Sequence, residues 1–587
     1  MRTSDVRQAW VIAACLSVAV FGSPRPDSAV ADAAMRNDIE AVRTLLREGA
    51  DVNAPQGDGM TALHWAARHG GLEMTGVLLA AHASTEATTR LGNYTPLHFA
   101  GQAGHGNVVR RLLEAGSNVN AETSTGNVKP LHFAALAGSA EAVIALVEYG
   151  ASVDATESVW GQTPLMFAAV SNQLSAVRAL LEAGADIGVA ATVVDISTRE
   201  EEDRAAERRR NQLLASGRAA QASTDQRPAA DRQEREASGV PEVPLRAQQL
   251  LGTTEIDPLS YADLVGHYGG LTALLLAVRE GHVETVDALL DSGADVNQVS
   301  AGDGTSPLLM ATINGHFDLA VRLLERGADV NLASEAGATP LYTTLNTEWG
   351  PKSRHPQPTD YQQQRIAYLD LMEMLLEAGA DVNARLTKPL WYTTYNNDLL
   401  RVERTGATTF WRAAYATDVD AMRLLVSYGA DPEISTVKAP DRRSGRGGSN
   451  EPDPSGLPPV PVGGPAVHPI HAASGAGYGQ GYAANAHRHV PDGWLPAVRY
   501  LVEELGVDVN APDHDGYNAV HHAAARGDNE LILYLVEHGA DVMAVSRDGE
   551  TTVDMANGPV QRIQPFPETV VLLESLGARN NHNCLSC

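Results

Sequence analysis

Cysteine is almost missing from this chain. Of 587 residues only Cys15, Cys584 and Cys587 are cysteine. Two thiols make up half of a tetrahedral metal site, so a site at the C-terminal pair would need ligands from elsewhere or from a second chain. Positive charge is also short, with 44 Lys and Arg against 72 Asp and Glu and a formal net charge of -28. That balance repels a phosphate backbone, and no Lys/Arg-rich stripe offsets it, so nucleic acid is set aside as a partner. The one basic cluster, Arg208 to Arg210, is neutralised locally by Glu200, Glu201, Glu202, Asp203 and Glu207. Long apolar runs are absent beyond the start of the chain, which leaves no candidate for a transmembrane span after it. A phosphate-cradling loop is missing as well, since "GAGYGQGY" at 475–482 has neither a preceding strand nor a P-loop lysine.

The exception among apolar runs is "AWVIAACLSVAVFG", residues 9–22, preceded by Arg2 and Arg7 and followed by small residues and proline. It is shorter than a membrane span and has the form of a signal peptide, assigned to residues 1–27. Small residues suited to cleavage lie at Ala29-Val30-Ala31 and near Ser23. The run Ile12-Ala13-Ala14-Cys15 fits a lipoprotein signal, but the apolar stretch continues past Cys15 where it should precede it. The expectation is therefore a secreted or periplasmic protein without a lipid anchor.

What the chain has in abundance is itself. Ala62-Leu63-His64-Trp65 returns thirty-four residues later as Pro96-Leu97-His98-Phe99, then as Pro130-Leu131-His132-Phe133 and Pro164-Leu165-Met166-Phe167. Unit ends recur too, as Gly49-Ala50-Asp51, Gly184-Ala185-Asp186, Gly293-Ala294-Asp295, Gly327-Ala328-Asp329 and Gly539-Ala540-Asp541. A period of this size marks a stacked solenoid. Within a unit, Thr95 caps a helix opening at Pro96, Gly104 ends it, and Val108, Val109, Leu112 and Leu113 give a second helix its inner face before Gly116 closes it. A helix pair this small cannot bury its own apolar face and must lean on its neighbours.

The pattern Gly-x-Thr-Pro-Leu-His-x-Ala-Ala, then Gly-His and Gly-Ala-Asp-Val-Asn, closely resembles the ankyrin repeat. The resemblance covers most of the chain after residue 27 and points to an exported, bacterial, multi-repeat member. It implies an all-α repeat solenoid of L-shaped units, each two antiparallel helices and a projecting β-hairpin. About twelve units are expected, beginning near residues 28, 60, 94, 128, 162, 271, 305, 338, 407, 467, 517 and 550. Function in that family is protein binding without catalysis. The resemblance thus implies a scaffold for a protein partner of unknown identity, with no enzyme activity or cofactor, expected to be a monomer.

The period breaks in several places. Five repeats over 28–189 are followed by a charged stretch, 190–265, expected to be disordered or a loosely held helix. Repeats six to nine occupy 266–436, with insertions at 346–364 and 386–406. A Pro/Gly-rich linker spans 437–464, and C-terminal repeats fill 465–579 with an insertion at 474–494, before a tail, 580–587, that carries the Cys-x-x-Cys. Insertions in repeats map to loops, often on a binding side. Those at 346–364 and 474–494 lie between the helices of their repeats and should emerge at one edge, roughly 20 Å apart if each repeat advances about one helix diameter. Their aromatics, Trp349, Tyr361, Tyr478, Tyr482 and Trp494, either anchor a partner or plug back onto the solenoid, with plugging favoured.

Three sets of residues invite a chemical reading. His64, His98, His132, His471 and His521 share one slot, where the resemblance gives histidine a hydrogen-bonding role between neighbouring loops. Met166, Leu275, Leu309 and Trp411 fill the slot elsewhere, so no shared chemistry depends on it. The second set, His487 and His489, has His-x-His spacing that suits a transition metal, although no defined zinc signature surrounds it, and no metal is assigned. Cys584 and Cys587 could form a local disulfide, a reactive dithiol, half a metal site or part of a haem attachment, but no histidine follows them. The alternative to a scaffold is therefore a redox, metal or haem accessory protein acting through this pair. By resemblance, the partner-facing slots are Met60, Arg68, His69, Tyr94, Gln102, Gln162, Ser171, Arg279, Glu280, Asn314, Tyr517 and Arg526, joined by Trp349, Tyr478, Tyr482 and Trp494 from the insertions.

Overall fold

A Thr-Pro-Leu start is a helix start because extended threonine turns its hydroxyl toward the first free N–H groups, while proline lacks one and has its φ preset. Thr163 does this for Met166 N–H ahead of the helix Pro164–Val170, and Thr339 does it for Tyr342 N–H ahead of Pro340–Glu348. Glycine in the left-handed region stops several of these helices, as at Gly70 (φ 72) and Gly138 (φ 78). The computed structural model describes residues 28–224, 259–351, 358–394, 400, 402–440, 453–478, 487–558 and 564–581. Residues 1–27, Tyr482, Cys584 and Cys587 lie outside the described residues.

The helices come in consecutive pairs. In the first block they are α1 (Ala29–Met35) with α2 (Ile39–Arg47), α3 (Ala62–His69) with α4 (Leu72–Ala80), and α5 (Pro96–Gln102) with α6 (Gly106–Glu114). The pairs α7 (Pro130–Ala137) with α8 (Ala140–Glu148) and α9 (Pro164–Val170) with α10 (Leu174–Glu182) complete it. After the interruption, which contributes α11 (Ile196–Thr224) and α12 (Tyr261–Val265), come α13 (Ala273–Arg279) with α14 (Val283–Asp291) and α15 (Pro307–Asn314) with α16 (Phe317–Glu325). Next is α17 (Pro340–Glu348) with α18 (Tyr368–Glu377), then the short α19 (Trp391–Thr394), then α20 (Thr409–Tyr415) with α21 (Val419–Ser427). The last pairs are α22 (Pro469–Ser474) with α23 (Trp494–Arg499), α24 (Ala519–Ala524) with α25 (Asn529–Glu537), and α26 (Thr552–Ala556) with α27 (Pro567–Ser575).

One core runs through all of them. The leucine that follows the helix-opening residue is fully buried at Leu63, Leu97, Leu274, Leu308 and Leu341, and Phe410, Ile470 and Val520 continue the line. Packing of each pair on the next is what stabilises units too small to stand alone.

The described part of 190–265, expected to be disordered or a loosely held helix, holds a long exposed helix and one strand of a short pair. Val193–Asp195 (β1) pairs antiparallel with His267–Gly269 (β2), Val194 facing Tyr268. Between these strands α11 leaves the array with nearly all its described side chains exposed. Ile196 at its base packs on Ala262 and Val265. The stack continues beside this segment, α9 packing directly on α13 and α10 on α14. His105 Nε2 lies 3.3 Å from the Arg68 carbonyl and His316 Nε2 lies 3.0 Å from that of Arg279, each joining a helix pair to the one before. The same bridge joins His282 to Val170, 3.2 Å apart, although 112 residues separate them. Thr285 adds a hydrogen bond to Asn172 Oδ1 at 2.9 Å.

Candidate protein-binding surface

The repeated histidine is a structural bridge in the first block. Thr95 N–H donates to His98 Nδ1 at 3.0 Å, which leaves Nε2 as the protonated nitrogen, and Nε2 faces the Val128 carbonyl of the next repeat at 3.2 Å. His64 reaches the Tyr94 carbonyl at 3.0 Å and His132 the Gln162 carbonyl at 3.3 Å in the same way. Burial disfavours the charged ring and lowers all three to about 4. Burial likewise lowers His471 and His521 to about 3. Trp411 occupies the same slot, and its indole N–H donates to the Val467 carbonyl at 2.9 Å, so the bridge survives a change of residue.

A second ladder ties the hairpins together. Asn120 donates to the Gly150 carbonyl at 3.2 Å and accepts from Ser152 N–H at 3.1 Å. Asn331 does the same with Gly379 and Asp381, Asn383 with Gly429 and Asp431, and Asn510 with Gly539 and Asp541. These asparagines end or extend the Gly-Ala-Asp-Val-Asn motif, so both recurrent polar positions are used to build the array.

The surface slots divide sharply. Arg68, His69 and Gln102 are exposed on α3 and α5, with Arg68 lying over the Trp65 ring at 5.4 Å. Tyr94, Gln162 and Ser171 are half-buried, and Tyr94 packs on Phe99 and Phe133 with ring centres 5.8 Å apart. Arg279 and Glu280 are half-buried and paired with each other at 2.9 Å, while Asn314 donates to the Met310 carbonyl at 2.8 Å. Met60 and Tyr517 are corrections: at 4% and 3% exposure they face the interior, with the Tyr517 hydroxyl on Glu550. Arg526 is another, its guanidinium lying 3.6 Å from the Trp494 ring centre and donating to the Ser474 carbonyl.

Residues that the motif did not select stand further out. Leu91 is 79% exposed and Trp160 48%, both in loops leading to the next repeat, with Val159 beside Trp160 and Leu136 exposed on α7. Leu136 holds the slot of Arg68 and Gln102. Farther along the array the same slot is covered, since Asn346, Tyr415 and Ala525 are all buried. Pattern reading assigned the surface by position in the unit and gave no weight to an apolar residue at a loop tip.

The cover over the later repeats is their own inserted chain. The edge expected to hold two loops roughly 20 Å apart by helix spacing holds them in contact, Arg488 donating to the Tyr361 hydroxyl at 3.2 Å. Between them the turn of the ninth repeat is gripped from both sides. Trp349 Nε1 and the Tyr368 hydroxyl donate to Asp418 Oδ2 at 2.8 and 2.7 Å. From the other side Val490 N–H donates to the Ala416 carbonyl at 2.9 Å. Thr417 sits at φ 52, a left-handed conformation that a β-branched residue adopts only when its surroundings hold it. Trp349, Tyr478 and Trp494 therefore plug the solenoid; Tyr478 and Trp494 meet edge to face at 5.7 Å.

His487 and His489 are held by hydrogen bonds within the protein. His487 is buried with Nε2 2.8 Å from the Tyr415 carbonyl and Nδ1 3.3 Å from the Tyr478 hydroxyl, so both ring nitrogens are occupied. His489 Nδ1 lies 2.9 Å from the Val490 carbonyl. No cluster of three metal-ligating side chains occurs among the described residues, and none of their helices is long and apolar enough to cross a membrane.

Family models described as ankyrin repeats match residues 30–123, 120–191 and 247–343 in one form and 500–556 in another. The chain belongs to the ankyrin-repeat family. Among curated proteins it is similar to human BCL-6 corepressor-like protein 1, 36% identical over 86 residues, 15% of this chain and 4% of that protein. It is also similar to human ankyrin repeat and SOCS box protein 6, 44% identical over 63 residues, 10% of this chain and 15% of that one. A third relative, ankyrin repeat-containing protein P1E11.10 of Schizosaccharomyces pombe, is 40% identical over 48 residues, 8% of this chain and 23% of the relative. The chain thus spans less than a quarter of each of these relatives. Ankyrin repeats generally mediate protein–protein interaction, and ankyrin-repeat proteins are typically non-catalytic scaffolds.

Proposed function

We propose that this ankyrin-repeat chain is a non-catalytic scaffold of twelve repeats that holds a protein partner on the first-helix and loop surface of its first five. The observation that carries this reading is the contrast along one slot. Arg68, Gln102 and Leu136 are open at the start of the array, whereas Asn346, Tyr415 and Ala525 are closed near its end. Exposed apolar side chains at Leu91, Val159 and Trp160 beside that open face supply anchors of the kind that dominate interfaces. The protein acts as a monomer outside the cytoplasm, directed there by residues 1–27; this rests on the basic residues and short apolar run at that end.

The test is crosslinking capture with the full chain as bait in the exported fraction, comparing the wild type with a Gln102→Glu, Leu136→Glu, Trp160→Ala variant. Loss of a specific partner in the variant supports the open face. Undiminished capture by the variant, or loss only when residues 346–494 are altered, contradicts it. N-terminal sequencing of the exported chain tests export: a start at Met1 would count against a removed leader.

A further inference from the structure

All three insertions meet at one point on α20, and the place where they meet is hollow. The cavity is lined by Trp349 and Pro351 from the first insertion, Leu400 and Arg404 from the second and His487 from the third. Arg412 and Tyr415 of α20 complete the wall. Inside there is room for one water-sized atom or ion.

This wall carries two sequestered guanidiniums, Arg404 at 9% and Arg412 at 3% exposure. Arg412 gives Nε to Asn346 Oδ1 at 3.0 Å and Nη2 to the Trp349 carbonyl, two acceptors without charge. Its Nη1 is buried and has no hydrogen-bond partner among the described residues. Among the described residues the carboxylates around Arg412 have other partners: Asp418 takes Trp349, Tyr368 and Ala421 N–H, and Glu348 feels the charge of Arg488. Burial lowers Arg412 to about 10, and Arg404 and Arg488 add repulsion of like charge. Burial and then Arg412 disfavour the charged form of His487, so its ring is neutral and neither offsets nor adds to the charge of the wall. An enclosed cation with an unmet donor is costly unless an acceptor completes it, most of all one that carries the opposite charge.

We propose that this cavity is a site for one small inorganic anion of halide size, which accepts from Arg412 Nη1 and fastens the three insertions to the ninth repeat. The site is made of two residues of α20 and five from the insertions, and it lies away from the open face of the first five repeats. A single water filling the same space is the alternative, and salt chemistry separates the two.

Thermal unfolding of the full chain is measured in sodium chloride, bromide and gluconate at matched ionic strength, gluconate being too bulky to enter. The expected result is a midpoint several degrees higher in the halides, rising to saturation with concentration, and a loss of that difference in Arg412→Gln. Equal midpoints in the three salts, or a halide response that Arg412→Gln shares, would overturn the proposal. Because Arg412→Gln could fail to fold, anomalous scattering from wild-type crystals grown in bromide supplies a second reading. A bromide peak beside Arg412 Nη1 supports the site, and a position without anomalous signal overturns it.

Discussion

At the residue level the repeated histidine does what an inert bridge should do. At His64, His98, His132 and His471 it accepts from its own helix cap, donates to the next repeat and is kept neutral by burial. Replacing His98 with alanine strands the buried Thr95 N–H and the Val128 carbonyl and leaves a ring-sized space. The expected cost is about 2–4 kcal/mol, read from chemical denaturation of the variant. Acid should act on all of these rings together. Their folded pKa values, about 4 for His64, His98 and His132 and about 3 for His471 and His521, lie below the ordinary 6.5. Below pH 6.5 the unfolded chain takes up protons that the folded chain refuses, so stability is full above that value and falls toward pH 4 and then 3. A melting temperature that fails to drop between pH 6.5 and 4 would contradict this assignment. The slot's structural nature was legible in the sequence because hydrophobic residues also fill it. That Trp411 keeps the bridge was not legible, since the indole reaches its carbonyl only through the placement of Val467, which lies beyond a Pro/Gly-rich linker.

Helices and their caps follow from local signals, and Thr, Pro and Gly at fixed offsets announce most of them. Insertions obey no such offsets. Their composition marked Trp349, Tyr478 and Trp494 as plugs or anchors, but reach depends on where two loops of irregular length meet. The structure brings them onto the turn Ala416–Asp418, and Gly493 packs closely on Thr417. A Cβ at Gly493 would lie 2.7 Å from the Thr417 carbonyl oxygen, a contact that backbone cannot relieve cheaply. Gly493→Ala should therefore cost about 1–3 kcal/mol even though its φ of -78 suits alanine. Hydrogen exchange should quicken at Val490 and Thr417 together; unchanged exchange at both would mean that the loops do not clamp the turn.

Across the described residues the array is continuous, and the helix pairs on either side of the long interruption pack directly on each other. His282 bridges to Val170 as His316 bridges to Arg279. His282→Ala and His316→Ala should thus destabilise to a similar degree, about 1 kcal/mol each in denaturant titration. A negligible effect at His282 alone would indicate two separately stacked blocks. The charged composition of 190–265 gave no hint of this, because continuity rests on Val170, Asn172, His282 and Thr285, residues that belong to the flanking repeats.

An open early face and a self-covered later one is the property on which the functional reading rests, and hydroxyl-radical footprinting of the free full-length chain tests it without a partner. Leu91, Leu136 and Trp160 should oxidise rapidly, while Tyr415, Trp411 and the half-buried Trp349 and Trp494 should react several-fold more slowly. Equal rates at Trp160, Trp349 and Trp494 would show that the insertions do not cover the later repeats.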